Sequence, residues 1–199
     1  MSEISTSYPL SKKERGALAT SAEQFVTDRA SQAEIDLVEQ QLGRYPRGMV
    51  SVGARCVCGT PLAVVTRPLI EGKIPFPTTL YLTSPEAVKA MSHLEATGVM
   101  NEMNTELADS EALRESYAHA HAMYMGFRHE VAVRLGDSEE HIAGISAGGM
   151  PVRVKCLHAL SAQSLVMGRG VNPLGDEALD AARDEFDPTV CRCALRLGK

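Results

Sequence analysis

The sequence contains no tryptophan, few aromatic residues and no long apolar run. Aromatic residues make up 5% of the 199 residues, which is little for a surface that stacks nucleic-acid bases. The formal net charge of -5 also argues against nucleic acid, because such a surface needs a basic patch. Apolar runs are too short for a membrane-spanning helix or a secretory signal. We therefore expect a cytoplasmic protein that binds neither nucleic acid nor a membrane.

The overall composition is that of one folded domain. The chain is 44% hydrophobic and 23% charged, which suffices for a sizeable core. Residues 1–20 mix Ser, Thr and Lys with little apolar periodicity, so they are expected to form a flexible arm. A single domain is expected over residues 21–187, followed by a C-terminal tail over residues 188–199. Oligomeric state does not follow from the sequence.

Three short segments rich in β-forming residues predict a small sheet. They are Met49–Ala54, Pro61–Thr66 and Thr79–Thr83. The first two flank Cys56-Val57-Cys58-Gly59-Thr60, so they should form a hairpin with both cysteines at its tip. An antiparallel sheet of about three strands is the prediction.

Helix start and stop signals occupy much of the remaining chain. Ser31 and Glu34 form a capping box and Gly43 provides a stop signal, which predicts a helix over residues 32–42. Comparable signals predict further helices through residues 22–26 and over 85–97, 99–108, 111–135, 151–167 and 173–182. The predicted fold class is therefore α+β, with several helices packed on the sheet.

The five cysteines are an odd number and favour metal binding or burial over a disulfide framework. The hairpin tip resembles half of a zinc site, and Cys56, Cys58, Cys156 and His158 are the candidate ligands. In a regular helix, residues two apart point to nearly opposite sides. We therefore expect at most one of Cys156 and His158 to bind the ion. The alternative is that Cys156 is a small buried residue and that His158 is a core or surface histidine with its hydrogen bonds made.

Other cysteines and histidines carry weaker signals. Cys191 and Cys193 lie near the C-terminus in a segment with few core signals, and an incidental tail strand is the favoured interpretation. His119, His121 and His129 lack the i,i+4 spacing that places two ligands on one helix face. They are expected to be exposed residues of the long helix.

The glycine-rich segment 144–149 is followed by Pro151, which favours a helix start. Unpaired N–H groups at a helix start can hold an anion. The segment matches neither the P-loop nor the dinucleotide-binding pattern. The alternative is that the glycines serve close packing and the basic side chains are solvated. Candidate anion-binding residues are Ser146, Gly148, Gly149, Arg153, Lys155 and Arg55.

The sequence resembles a known family in residues 44–48, 55–61, 78–83, 94–100, 144–158 and 170–176. Over about Gln41–Ala182 it is similar to the actinobacterial family of unknown function called DUF501. The resemblance implies no established activity. It does imply that many members have Cys at the position of Ser84, so a metal site using that position has lost a ligand here. Cys191 and Cys193 lie outside the matched part.

The sequence is compatible with two classes of function. The first is a metal- or anion-binding module with a structural or regulatory role, with zinc as the expected metal. The second is a metal- or thiol-dependent enzyme acting on a small anionic or phosphorylated substrate. In that case Cys156 and His158 are the candidate catalytic residues. The sequence indicates no protein partner.

Overall fold

The structure is a computed structural model that describes residues 9–196. This part of the chain forms seven α-helices, a three-stranded sheet and a separate two-stranded hairpin. The α+β class predicted from the sequence is therefore confirmed. The elements are α1 (Lys12–Thr27), α2 (Gln32–Leu42), β1 (Met49–Arg55), β2 (Pro61–Thr66), β3 (Leu69–Ile70), β4 (Ile74–Pro75), β5 (Leu80–Leu82), α3 (Pro85–Thr97), α4 (Val99–Asp109), α5 (Glu111–Leu135), α6 (Leu157–Met167) and α7 (Pro173–Ala181).

The main sheet is antiparallel with strand order β1-β2-β5. Val52 pairs with Val64, and Val64 pairs with Tyr81 on the other side. Every residue of the central strand β2 is buried, which explains its nearly continuous apolar sequence. The β3–β4 hairpin was not predicted, because its strands have only two residues each.

Several predicted helices have the expected ends. The helix α2 begins after the Ser31–Glu34 capping box and ends at Gly43. The helix α3 begins after Ser84, whose side chain accepts a hydrogen bond from the N–H of Ala87. Local capping chemistry was therefore a sufficient guide to these boundaries.

The expected flexible arm overlaps a regular helix. The helix α1 begins at Lys12, and Ser11 and Glu14 form a complete capping box there. Leu18 and Ala22 are buried because α1 packs along α5. Residues 12–20 therefore belong to the folded domain, while the rest of the predicted arm before residue 9 lies outside the described residues.

The predicted start of the helix at Pro151 is wrong, because α6 begins only at Leu157. The segment before it forms turns, in which the N–H of Lys155 donates to Gly148 at 2.7 Å. The side chain of Asn104 also holds the backbone of Val154, accepting its N–H at 2.8 Å and donating to its carbonyl at 3.0 Å. These long-range bonds replace the helical bonds that the sequence predicted.

The helix α6 lies in the centre of the fold, as its apolar sequence predicted. It contacts the sheet on one side and α3 and α7 on others. Gly175 of α7 approaches it so closely that an added Cβ would lie 2.3 Å from the carbonyl oxygen of Leu160. The buried amide of Gln163 in α6 is paired, since it donates to the carbonyl of Ala120 at 2.8 Å and accepts from Asn172 at 2.9 Å. Within the described range, no helix combines the length and the apolar character needed to cross a membrane.

His121 is buried, which corrects the expectation that it is exposed; only 5% of the residue is accessible. Burial lowers the pKa of its imidazole from the ordinary value, and the charge of Arg128 lowers it further. The unfolded chain therefore takes up a proton below about pH 6.5 that the folded protein does not. The stability contribution of neutral His121 is present above this pH and decreases as the pH falls.

We predict that wild-type protein loses more stability than His121→Gln when the pH is lowered from 7.5 to 5.5. The difference should reach up to about 1.4 kcal/mol for each pH unit below about 6.5. Urea unfolding at both pH values measures it, and His121→Leu should behave like His121→Gln because neither side chain titrates. Equal losses in all three proteins would contradict the assignment of a buried neutral histidine.

Candidate metal centre

The turn between β1 and β2 carries two thiols at the edge of the core. The N–H of Cys56 donates to the carbonyl of Thr60 at 2.9 Å, and the N–H of Gly59 returns to the carbonyl of Cys56 at 2.8 Å. This tight turn buries Cys56 and leaves Cys58 exposed. The placement of both cysteines at a hairpin tip agrees with the sequence prediction.

The C-terminal segment completes a group of four thiols at this tip. The sulfur atoms of Cys56, Cys58, Cys191 and Cys193 all lie within 4.8 Å of one another. Cys193 is buried and Cys191 half-buried. The N–H of Ala194 donates to a carboxylate oxygen of Glu86 at 2.8 Å. The incidental tail strand favoured for Cys191 and Cys193 is therefore incorrect.

The four thiols differ in their electrostatic environments. Hydrogen bonds with the side chain and the backbone of Thr60 lower the pKa of Cys58 to about 6. Burial raises the pKa values of Cys56 and Cys193 above the ordinary value. A bound cation would favour all of them as thiolates, because metal binding displaces thiol protons.

A second group of potential ligands lies where α3 ends and α6 begins. Oε1 of Glu95 is 3.0 Å from Nδ1 of His158, and the sulfur of Cys156 is 3.7 Å from the same nitrogen. The three ligand atoms lie within 4.8 Å of one another. The contact with Cys156 and the carboxylate of Glu95 raise the pKa of His158 to about 9, against the opposing effect of burial.

The structure divides the predicted shared site into two groups. Cys56 and Cys58 are joined by the two tail cysteines, whereas Cys156 and His158 are joined by Glu95. The sequence contained one signal for the first group, since both cysteine pairs have the same Cys-x-Cys spacing. Glu95 carried no such signal, because its position depends on how α3 packs against the start of α6.

The glycine segment 144–149 is not at a helix N-terminus, because α6 starts later. The N–H of Leu157, at the true start, donates to Oε1 of Glu95 at 2.7 Å. An added Cβ at Gly148 would lie 2.7 Å from the side chain of Leu160, and the hydroxyl of Ser146 donates to the carbonyl of Met150 at 3.1 Å. Anion binding by this segment therefore stays a prediction, but the helix N-terminus that supported it is not there.

Two basic candidates for anion binding contact the glycine segment through their backbone, since the N–H of Arg153 donates to Gly149 at 3.1 Å and that of Lys155 to Gly148 at 2.7 Å. Arg153 and Lys155 are exposed near it. Arg55 instead forms an ion pair with Glu34 and donates to the carbonyl of Gly59 at 3.2 Å. Arg55 therefore links the cysteine turn to α2.

Ser84, which stands where the family resemblance implies a cysteine in many members, lies next to the tail contacts. Its hydroxyl is 3.0 Å from Oε2 of Glu86, while the other oxygen of that carboxylate accepts the N–H of Ala194. In this chain, the tail supplies two thiols and Ser84 serves as the cap of α3.

Comparison with known proteins identifies one match. A family model with the description "Protein of unknown function (DUF501)" matches residues 52–180. No curated protein and no solved structure matches the chain. The match includes the hairpin cysteines and the group of Glu95, Cys156 and His158, and it ends before the two tail cysteines.

The packing of the glycine segment leads to a test with a matched pair. Gly149 has φ of +94°, and an added Cβ would lie 2.5 Å from the carbonyl oxygen of Arg153. Gly144 also has a positive φ, +72°, but nothing lies within 4 Å of its added Cβ.

We predict that Gly144→Ala costs about 1–2 kcal/mol through backbone strain alone. Gly149→Ala should cost about 1–3 kcal/mol more, because the carbonyl of Arg153 must also move. Chemical denaturation of both variants measures the difference. Equal losses would show that Gly149 is not required for close packing.

Proposed function

Because this chain belongs to the DUF501 family, whose description records no function, we propose its function from its own structure: it is a zinc-binding protein. One zinc ion is held by Cys56, Cys58, Cys191 and Cys193 and has a structural role. The observation that carries this proposal is the convergence of four thiols from two distant parts of the chain.

The chemistry of the four ligands suits zinc. Four thiolates in a tetrahedron form one of the common structural zinc sites. With Zn–S bonds of about 2.3 Å, neighbouring sulfurs are separated by about 3.8 Å. The observed group, with all sulfurs within 4.8 Å, needs only a small contraction to reach this geometry. Elemental analysis distinguishes zinc from iron, which tetrahedral sulfur sites also accept.

A structural role follows from the position of the site. Residues 188–196 form no regular helix or strand. Their contacts with the rest of the domain include the bond from Ala194 to Glu86 and a longer one, 3.5 Å, from the hydroxyl of Thr60 to the carbonyl of Leu195. Four metal–sulfur bonds would hold this segment against the β1–β2 hairpin far more firmly than these hydrogen bonds.

The proposed site also requires a reducing environment. All five cysteines are free thiols, and thiols bind zinc only while they remain reduced. A cytoplasmic location, expected from the sequence, is part of this proposal for that reason.

A second candidate function, a metal- or thiol-dependent enzyme, is favoured by one observation. Cys156 and His158 lie together with Glu95 at a point where the side chains still reach solvent. This group combines a nucleophile, an imidazole and a carboxylate, which are the usual parts of a catalytic site. The substrate of this candidate enzyme is a small anion, which the exposed Arg153 and Lys155, nearby in the chain, would attract.

We predict that Cys56→Ser removes one equivalent of bound zinc and lowers thermal stability at the same time. Metal bound only by the folded state stabilises that state, so its loss should cost about 3 kcal/mol or more, or about 6–12 °C in melting temperature. Elemental analysis and thermal unfolding of protein purified without an affinity tag measure both effects. Cys193→Ser should give the same result.

Val57→Ser is the matched control, because Val57 lies between the two hairpin cysteines and is 67% exposed. It should retain the zinc and the wild-type melting temperature. The proposal is wrong if wild-type protein binds no zinc after reduction and zinc addition, or if Cys56→Ser retains the full zinc content.

A further inference from the structure

The second ligand group owes its geometry to the late start of α6. Cys156 has φ of −154° and ψ of 109°, so its backbone is extended and it lies just outside the helix. The helical spacing that would separate Cys156 from His158 therefore does not apply to this pair. Their side chains meet at the carboxylate of Glu95, which reaches over from the last turn of α3.

The surroundings of His158 orient its ring for metal binding. Nε2 lies 3.2 Å from the carbonyl oxygen of Val88 and 3.2 Å from the hydroxyl of Ser92. A carbonyl oxygen only accepts hydrogen bonds, so Nε2 carries a proton and donates it to Val88. In the neutral ring, the lone pair is then on Nδ1, which faces Cys156 and Glu95. Histidine ligands in metal sites are held by this kind of bond from the outer nitrogen.

The carboxylate of Glu95 is held in a similar way. Its Oε1 accepts the N–H of Leu157 at 2.7 Å, which fixes the oxygen beside Nδ1 of His158. A carboxylate oxygen has two lone pairs, so the same atom can accept this bond and bind a cation. Backbone hydrogen bonds thus position two of the three ligand atoms, Nδ1 of His158 and Oε1 of Glu95.

Two of the three ligand separations are close to those around a tetrahedral zinc ion. A tetrahedral ion with ordinary bond lengths separates sulfur from nitrogen by about 3.6 Å and nitrogen from oxygen by about 3.3 Å. The corresponding distances here are 3.7 Å between Cys156 and His158 and 3.0 Å between His158 and Glu95. The side chains of His158 and Glu95 are 25% and 24% exposed, so a fourth position would open to solvent.

We propose that Glu95, Cys156 and His158 form a second zinc site, independent of the four-cysteine site, with an exchangeable water at the fourth position. Three protein ligands and a water are the pattern of catalytic zinc sites. The four-cysteine site, by contrast, has no position left for a further ligand. The simpler alternative, in which Glu95 only caps α6 and pairs with His158, predicts no metal here and is the other outcome of the test.

Titration of the reduced, metal-free full chain with Co²⁺ tests the proposal. Cobalt absorbs in the visible range, and its thiolate charge-transfer bands increase with the number of sulfur ligands. Wild-type protein should bind two equivalents. His158→Gln and Cys156→Ser should each bind one equivalent and keep the spectrum of the four-thiolate site.

The matched control is His93→Gln. His93 also lies on α3 and also pairs with a glutamate, Glu185, at 2.6 Å, but it belongs to no potential metal-ligand group among the described residues. This variant should still bind two equivalents. The proposal is overturned if wild-type protein shows only the four-thiolate species, or if His158→Gln retains the second equivalent. Of these variants, only Cys56→Ser should lose the four-thiolate spectrum, which identifies the first site separately.

Discussion

The burial of α6 is the constraint on which the rest of the fold depends. A helix that is apolar on nearly every face must be covered on every face, and the sheet, α3 and α7 meet this requirement. The contact with α7 is so close that Gly175 leaves no room for a side chain. The buried amide of Gln163 is paired with the carbonyl of Ala120 and with Asn172, which offsets the cost of burying it.

Both potential metal-ligand groups follow from this arrangement. One lies at the start of α6, where the helix meets the last turn of α3. The other lies at the end of a hairpin whose strands form the sheet beneath α6, and it includes a C-terminal segment with no regular structure. A bound metal would add much stability to such a segment, because the segment has little apolar surface to bury. The two groups also differ in chemistry, since one is a closed set of four thiols and the other has three different ligands.

Much of the fold could be predicted from local sequence signals. The capping box at Ser31 and Glu34 defines α2, and the central strand β2 is recognisable from its apolar residues. The same kind of capping box at Ser11 and Glu14 was present before α1, so that helix was predictable in principle although its apolar periodicity is weak. The start of α6 was not predictable, because Asn104 binds the backbone of Val154 from a distant helix.

In the candidate sites too, local sequence patterns identified some residues, whereas tertiary packing decided the position of others. The hairpin cysteines were identifiable from their spacing and the turn residues around them. Their partners were harder to identify, because the shared Cys-x-Cys spacing of Cys191 and Cys193 does not by itself place them beside a hairpin formed much earlier in the chain. Glu95 was missed for a related reason: a single glutamate at a helix end becomes a potential ligand only through the packing of α3 on α6.

The central claim is that four cysteines from the hairpin and the C-terminal segment hold one zinc ion. Crystals of the zinc-loaded protein, measured above and below the zinc absorption edge, test this claim most directly. The account predicts an anomalous peak about 2.3 Å from the sulfurs of Cys56, Cys58, Cys191 and Cys193. The absence of zinc between these sulfurs, or a zinc ion bound by only the two hairpin cysteines, would contradict it.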